Sequence, residues 1–296
     1  MQPNPILKKL GFSDTDRLVI LHVDDVGMCQ ASVTAFINLW ESGGISSGAI
    51  MMPCPWAKVA ADYCRNHPGV DMGVHATLNA EWDAYRWSPL STLDPATGLM
   101  DGDGFMWQSS QETQANASPE SVSTELQLQA QKALAWGVDV THVDSHMGTV
   151  IHPKFISAYV QTAAQARVPV MLPRSDASVF LHLGMDPEAA SGLATFIAQL
   201  EEQGLPLVDG LAMMPLDQPE GQLDIAKKML SEIPSGVTHF LMHPAVDTPE
   251  LRAIAPDWPS RVANYQTFMG KEVKDFIKSA GIQVVGYRHL RDAMKT

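Results

Sequence analysis

Two adjacent carboxylates, Asp24 and Asp25, close a hydrophobic run that begins at Leu18. Leu18–Val23 is rich in β-branched residues and reads as a buried strand. Neighbouring strand residues point to opposite faces, so both acids can face one cavity only where the strand breaks into a loop. Two acids held together repel each other unless a cation or a shared proton intervenes. Histidines mark other predicted strand ends: His75 on the third, His146 just past the fourth, and His243 after a late one. One carboxylate and two imidazoles form a good three-ligand set for a divalent metal, with positions left for water and substrate. Asp25, His75 and His146 are the expected ligands. Asp24 is then free to act as general base on a water activated by the metal, and His243 to protonate a leaving amine. His142 and Asp144 share a strand face with His146, at period two, and are expected to orient the ligands. Asp/His/His ligation suits magnesium, zinc and other divalent ions alike.

Strand-like and helix-like segments alternate along the chain and must carry these groups. Strands are expected at 18–23, 45–51, 70–77, 139–145, 168–172, 205–209, 238–242 and 282–287. Helices are expected at 32–41, 57–66, 119–136, 153–166, 187–203, 221–232, 260–280 and 288–294. Ser32 and Ser118 are candidate N-caps, Pro119 suits a first helical position, and Gly43 a helix stop. Repeated β-then-α units imply a parallel sheet with right-handed crossovers. Seven or eight units in fewer than 300 residues favour a distorted (β/α) barrel over an open sheet, and no composition break divides 1–296 into two domains. In a parallel barrel the C-terminal strand ends share one rim, so these acids and histidines converge.

The chain has 296 residues and a formal net charge of −13, which disfavours nucleic acid and anionic lipid as partners. No apolar run is long enough to cross a bilayer, and Met1–Leu10 has no apolar stretch of a secretory leader. The three cysteines, Cys29, Cys54 and Cys64, form no Cys-x-x-Cys pair and point to a reduced cytoplasm. No G-x-G-x-x-G follows the first strand and no P-loop is present, so nucleotide binding has no support. Paired subunits are compatible with the sequence, which is otherwise silent on oligomeric state.

Residues 79–117 show no period, and loops that long are usually lids or binding loops. Within them Trp82, Tyr85, Arg86 and Trp87 suit a sugar, with rings stacking on C–H faces and polar edges meeting hydroxyls. A hydrophobic plug at the barrel mouth accounts equally well for them, and Trp107 fits the same wall.

Four motifs in order are similar to those of the YdjC family, the ChbG/HpnK-like group of carbohydrate deacetylases, polysaccharide deacetylase-like. They are His-Val-Asp-Asp-Val-Gly (22–27), Gly-Val-His-Ala-Thr-Leu (73–78), Thr-His-Val-Asp-Ser-His (141–146) and Met-His-Pro (242–244). The resemblance runs nearly to the end of the chain and implies a distorted (β/α) barrel with one divalent metal. It implies removal of N-acetyl groups from small sugars such as chitooligosaccharides. It maps metal ligands onto Asp25, His75 and His146, the base onto Asp24, and the His-Pro histidine onto His243. The third motif departs from the chitooligosaccharide enzymes, which continue it with a run of histidines; here it reads His146-Met147-Gly148-Thr149. The aromatic loop departs as well, and both changes fall where substrate should bind. A phosphoester hydrolase, a sugar isomerase or a non-catalytic sugar-binding protein on the same barrel are the alternatives. Phosphate chemistry would require a basic side chain near the metal, for which Arg86, Arg174, Arg252 and Arg261 are the candidates.

Overall fold

The structure, a computed structural model, describes residues 2–174, 177–182 and 185–294. Its centre is a parallel sheet of β1 (Arg17–Val26), β2 (Ser47–Ile50), β3 (Met72–Ala76), β4 (Val140–Ser145), β5 (Gly210–Met213), β6 (Gly236–Met242) and β7 (Gln283–Val284). The order is β4-β3-β2-β1-β6-β5, with β7 paired to the early part of β1. Two isolated bridges link the outer strands: Val143 with Val170, and Pro173 with Val208 just ahead of β5. The Met171 amide donates to the Val143 carbonyl at 2.8 Å, and the Val208 amide to Leu172 at 3.1 Å. The sheet therefore curls round on itself, as a distorted (β/α) barrel.

The weak side of the barrel is where expectation and structure part. The strand expected at 168–172 is reduced to bridges, because Pro169 and Pro173 cannot donate to a ladder. The strand expected at 205–209 forms at Gly210–Met213 instead, beyond Pro206. Elsewhere β1 is buried from Leu18 to Val26, as a strand covered on both faces must be.

Helices cover the outside. Gln30–Ser42 follows β1 and ends at Gly43, whose φ of 67° favours glycine. Its N-cap is Cys29 rather than Ser32; Ser32 sits in the first turn, accepting from the Cys29 amide at 3.4 Å. Ala57–Asn66 and Pro119–Ala135 form as expected, the latter capped by Ser118, which accepts from the Ser121 amide. The single helix expected over 260–280 is two, Trp258–Met269 and Lys271–Ser279, because Gly270 is extended. Short helices at Pro5–Lys9, Ser110–Asn116, Ala177–His182 and Pro249–Ile254 were not legible as periodic segments. The helix in the long loop carries a capping box, Ser109 with Glu112. All three cysteines are buried and unpaired, as small apolar side chains are.

Candidate metal and catalytic site

The end of β1 supplies both acids by breaking its own geometry. Asp25 has φ of 59°, a left-handed conformation that costs a non-glycine residue about 1 kcal/mol or more. Gly27 follows at φ of 90°, and a Cβ there would lie 2.9 Å from Ala57 Cα, so the chain can turn only because this residue lacks one. The register of β1 against β2 shifts across Val23–Val26. This departure from alternation lets Asp24 and Asp25 line one cavity.

The structure brings the three expected ligands together. Asp25 Oδ1 lies 3.5 Å from His75 Nε2 and 3.2 Å from His146 Nδ1. Donor atoms from the three residues all fall within 4.8 Å of one another. Asp25 Oδ1 and His75 Nε2 are buried with no hydrogen-bond partner. Unpaired buried polar atoms are costly, and two converging on a third ligand-type atom fit a divalent cation. The far nitrogens are held by carboxylates: His75 Nδ1 by Asp144 at 2.9 Å, and His146 Nε2 by Glu81 at 3.0 Å. Each imidazole is thus fixed with its free nitrogen inward, the usual support of a metal-binding histidine.

Asp24 stands beside this cluster. Its Oδ1 accepts from His22 Nδ1 at 2.7 Å. Its Oδ2 lies 3.9 Å from His75 Nε2 and 3.8 Å from His243 Nε2. Burial raises the Asp24 carboxyl, but the charge of His75 and the bond from His22 outweigh it and hold the group below the usual range. Burial likewise opposes ionisation of Asp25, and the Arg261 guanidinium overcomes it. Arg261 Nη1 bonds Asp25 Oδ2 at 2.7 Å and its Nε bonds Asp257 at 2.8 Å. His243 is lowered by burial, with the Asp25 and Asp24 carboxylates opposing. Its backbone amide donates to Asn264 Oδ1.

A cavity of about 400 Å³ opens over these groups. Asp24, Asp25, Glu81, His146, His243, Asp257 and Arg261 line its polar side, and Met171, Leu211, Met213, Leu216 and Leu241 an apolar side. Of the aromatic loop, Trp82 reaches this lining, whereas Tyr85, Arg86 and Trp87 do not. Tyr85 donates to the Met28 carbonyl, Arg86 pairs with Asp101 at 2.6 Å, and Trp87 Nε1 donates to Asn79 at 2.7 Å. Trp107 Nε1 donates to the Gly98 carbonyl at 2.8 Å, tying the same wall together.

Several groups at the site were not placed there from sequence, Arg261 having been a candidate only for binding a phosphate. His22 lies inside the first motif and Glu81 inside the aromatic loop, but both read as flanking residues there. Arg261 and Asp257 come from the distant helix Trp258–Met269 and its N-terminus, and no spacing links them to β1.

A parallel barrel whose C-terminal rim gathers acids and imidazoles able to hold a metal defines a recognised class of α/β protein. Within it, this chain belongs to the YdjC-like protein family, whose profile matches residues 18–279. It is 30% identical over 289 residues to the carbohydrate deacetylase of Thermus thermophilus, covering 98% of this chain and 99% of that one. It is 24% identical over 275 residues to the carbohydrate deacetylase of Thermoanaerobacter pseudethanolicus, covering 93% and 100%. An Enterococcus faecalis protein, solved as a candidate cellobiose-phosphate cleavage protein, shares the fold with a TM-score of 0.72. It is 19% identical, with 92% of this chain and 98% of that one covered. No helix among the described residues is long and apolar enough to cross a membrane.

Proposed function

We propose that this chain is a metal-dependent hydrolase that removes an N-acetyl group from a small carbohydrate. The observation that carries it is the convergence of Asp25 Oδ1, His75 Nε2 and His146 Nδ1 beside Asp24, whose Oδ2 faces the same space. The relatives named carbohydrate deacetylases supply the bond and the substrate class. Asp25, His75 and His146 would hold the ion, magnesium or zinc by ligand type. When bound, it would polarise the amide carbonyl and make a water more acidic.

The remaining chemistry belongs to the side chains. Asp24 Oδ2 takes the proton of the attacking water, since its Oδ1 is already occupied by His22. His243 Nε2, 3.8 Å from Asp24 Oδ2, is within one water of that proton and passes it to the leaving amine. Trp82 offers a face for the sugar ring, and the apolar side of the cavity shields the acetyl methyl group. Residues 1–296 act as one domain in this scheme, in the cytoplasm, with 79–117 as the wall on the substrate side.

The test is acetate release from N-acetylglucosamine oligomers, with and without chelator. Asp24→Asn should lower kcat by about 10²–10⁴-fold, the usual worth of a positioned general base, while leaving metal stoichiometry intact. Activity untouched by both chelator and Asp24→Asn overturns the mechanism.

A further inference from the structure

Below the rim, the barrel core contains a continuous line of polar side chains that the hydrolysis scheme does not require. His22 Nδ1 bonds Asp24 Oδ1 at 2.7 Å, and His22 Nε2 meets His142 Nε2 at 2.9 Å. His142 Nδ1 meets Thr141 Oγ1 at 3.0 Å, and Thr141 Oγ1 meets Asp71 Oδ1 at 2.5 Å. Asp71 directly precedes β3, so the line runs from the catalytic rim to the opposite end of the barrel. His22, His142 and Thr141 have no exposed surface, and Asp71 has 3%. No solvent is at hand to satisfy a missing partner.

Counting protons decides what such a line must hold. Its four contacts each need one hydrogen between two heavy atoms. A neutral His22, a neutral His142 and the Thr141 hydroxyl bring three. If Asp71 and Asp24 are both ionised and no more protons are present, one contact is left as two lone pairs facing each other at hydrogen-bond distance. In a buried, low-dielectric core that is the costliest arrangement available.

We infer that the His22–His142–Thr141–Asp71 line keeps one additional resident proton, shared between Asp71 and His22, and that it positions Asp24 and compensates its charge. With the proton on Asp71, Asp71 donates to Thr141, Thr141 to His142 Nδ1, His142 Nε2 to His22 Nε2, and His22 Nδ1 to Asp24. With the proton on His22, each of the three lower contacts has passed one hydrogen along, and an imidazolium faces Asp24. One O–H or N–H bond breaks and one forms at each step, and no other bond changes. Asp24 Oδ1 accepts from His22 in both arrangements, which keeps Oδ2 turned to the substrate.

The surroundings agree with this. Burial raises the Asp71 carboxyl, against the hydrogen bonds from Thr141, the Arg288 amide and Ser47. Burial and the neighbouring His22 push His142 well below its usual value, so it relays as a neutral ring. Asp144 Oδ2 lies 3.5 Å from His22 Nε2, His239 packs against the His22 ring at 4.6 Å, and Tyr287 stacks on His142 at 3.8 Å. Gly73 makes room for the line: a Cβ there would lie 2.5 Å from the His142 ring. His239 Nδ1 is taken by Tyr287 Oη at 2.8 Å and is not part of it.

The inference rests on Asp24 being the base for its catalytic meaning, but the proton count does not. The experiment is NMR on the intact chain, with ¹⁵N-labelled histidine and ¹³Cγ-labelled aspartate. Two patterns support the inference: Asp71 protonated with His22 unprotonated at Nε2, or Asp71 ionised with both His22 nitrogens protonated. Asp71 ionised with His22 and His142 both neutral overturns it. Asp71→Asn supplies a permanent N–H donor to Thr141 and should fold, fixing His22 as the neutral Nδ1–H tautomer. A His22 that stays doubly protonated in Asp71→Asn overturns it too. Thr141→Val cuts the line and should lower kcat about ten-fold, the lower end for lost outer partners, at unchanged KM. Absence of acetate release by the unaltered protein would remove the proposed function while leaving the NMR count to stand or fall separately.

Discussion

Near neutral pH the metal-free site holds protons where the proposed scheme needs a cation. Burial favours a neutral His146 ring, but the Glu81 and Asp25 carboxylates outweigh it and push the imidazole up to about 9. His75 is raised well above its usual value: burial opposes, and Asp144 and Asp24 prevail. Both rings must be neutral to bind a metal. At pH 7, some two units below the His146 value, displacing that one proton costs about 100-fold in apparent affinity, or ~2.7 kcal/mol at 1.36 kcal/mol per unit. Calorimetric titration of the chelated protein with zinc or magnesium, in two buffers of different ionisation enthalpy, reads the protons directly. About two should leave per ion at pH 7, one from each ring. Apparent affinity should rise with pH, less steeply once pH passes about 9 and the His146 ring is already neutral. The stability of the metal-free protein carries the matching sign. The His146 contribution is complete below its unfolded value of about 6.5 and disappears as pH rises through about 9. An affinity that is flat with pH, with no proton release, would refute the assignment of these imidazoles as ligands.

Arg261→Met takes the guanidinium away from the buried Asp25 Oδ2, leaving the His75 and His146 rings to face Oδ1 only. It should lower stability by about 3–5 kcal/mol in urea titrations of the chelated protein, with part of the loss recovered on adding a divalent metal; an unchanged midpoint counts against the pairing. Trp82 and Trp87 should separate cleanly. Both are buried, so each change to alanine should cost about 3–5 kcal/mol of stability, but only Trp82→Ala, at the cavity lining, should also raise KM for the sugar; a KM effect from Trp87→Ala alone exchanges their roles. Gly73→Ala drives a methyl group to 2.5 Å from the His142 ring, and should cost about 1–3 kcal/mol in thermal melts; no loss means the ring can move freely.

The barrel was legible because its strongest signals are local. The β-branched run of β1, the Ser118-Pro119 helix start and the strand-end histidines are each written in a few consecutive residues. What stayed hidden depends on contacts between distant segments. Arg261 joins Asp25 across 236 residues, and Thr141 joins Asp71 across 70. The aromatic loop shows the limit of residue type: Trp82, Tyr85, Arg86 and Trp87 carry the chemistry of a sugar platform, yet three of the four are spent on backbone carbonyls and Asp101. The weak side of the barrel escaped because prolines 169, 173 and 206 leave hydrophobic runs that read as strands but cannot complete ladders.

Charge decides between an amide and a phosphoester. Four arginines were candidates for binding a phosphate, and three lie elsewhere, paired with Asp101, with Glu201 and Asp209, and with Asp247. Arg261 alone lines the cavity among the described residues, and its guanidinium is already divided between Asp25 and Asp257. Against it stand four cavity carboxylates: Asp24, Asp25, Glu81 and Asp257. A divalent ion would balance part of that charge, but a phosphate dianion would still meet acids with no free cation to hold its outer oxygens. A neutral amide asks for less: one oxygen facing the ion, one base for water, and one proton for the departing nitrogen. In the proposed scheme Asp24 and His243 would supply the last two, and the apolar wall from Met171 to Leu241 suits a methyl group better than an anion.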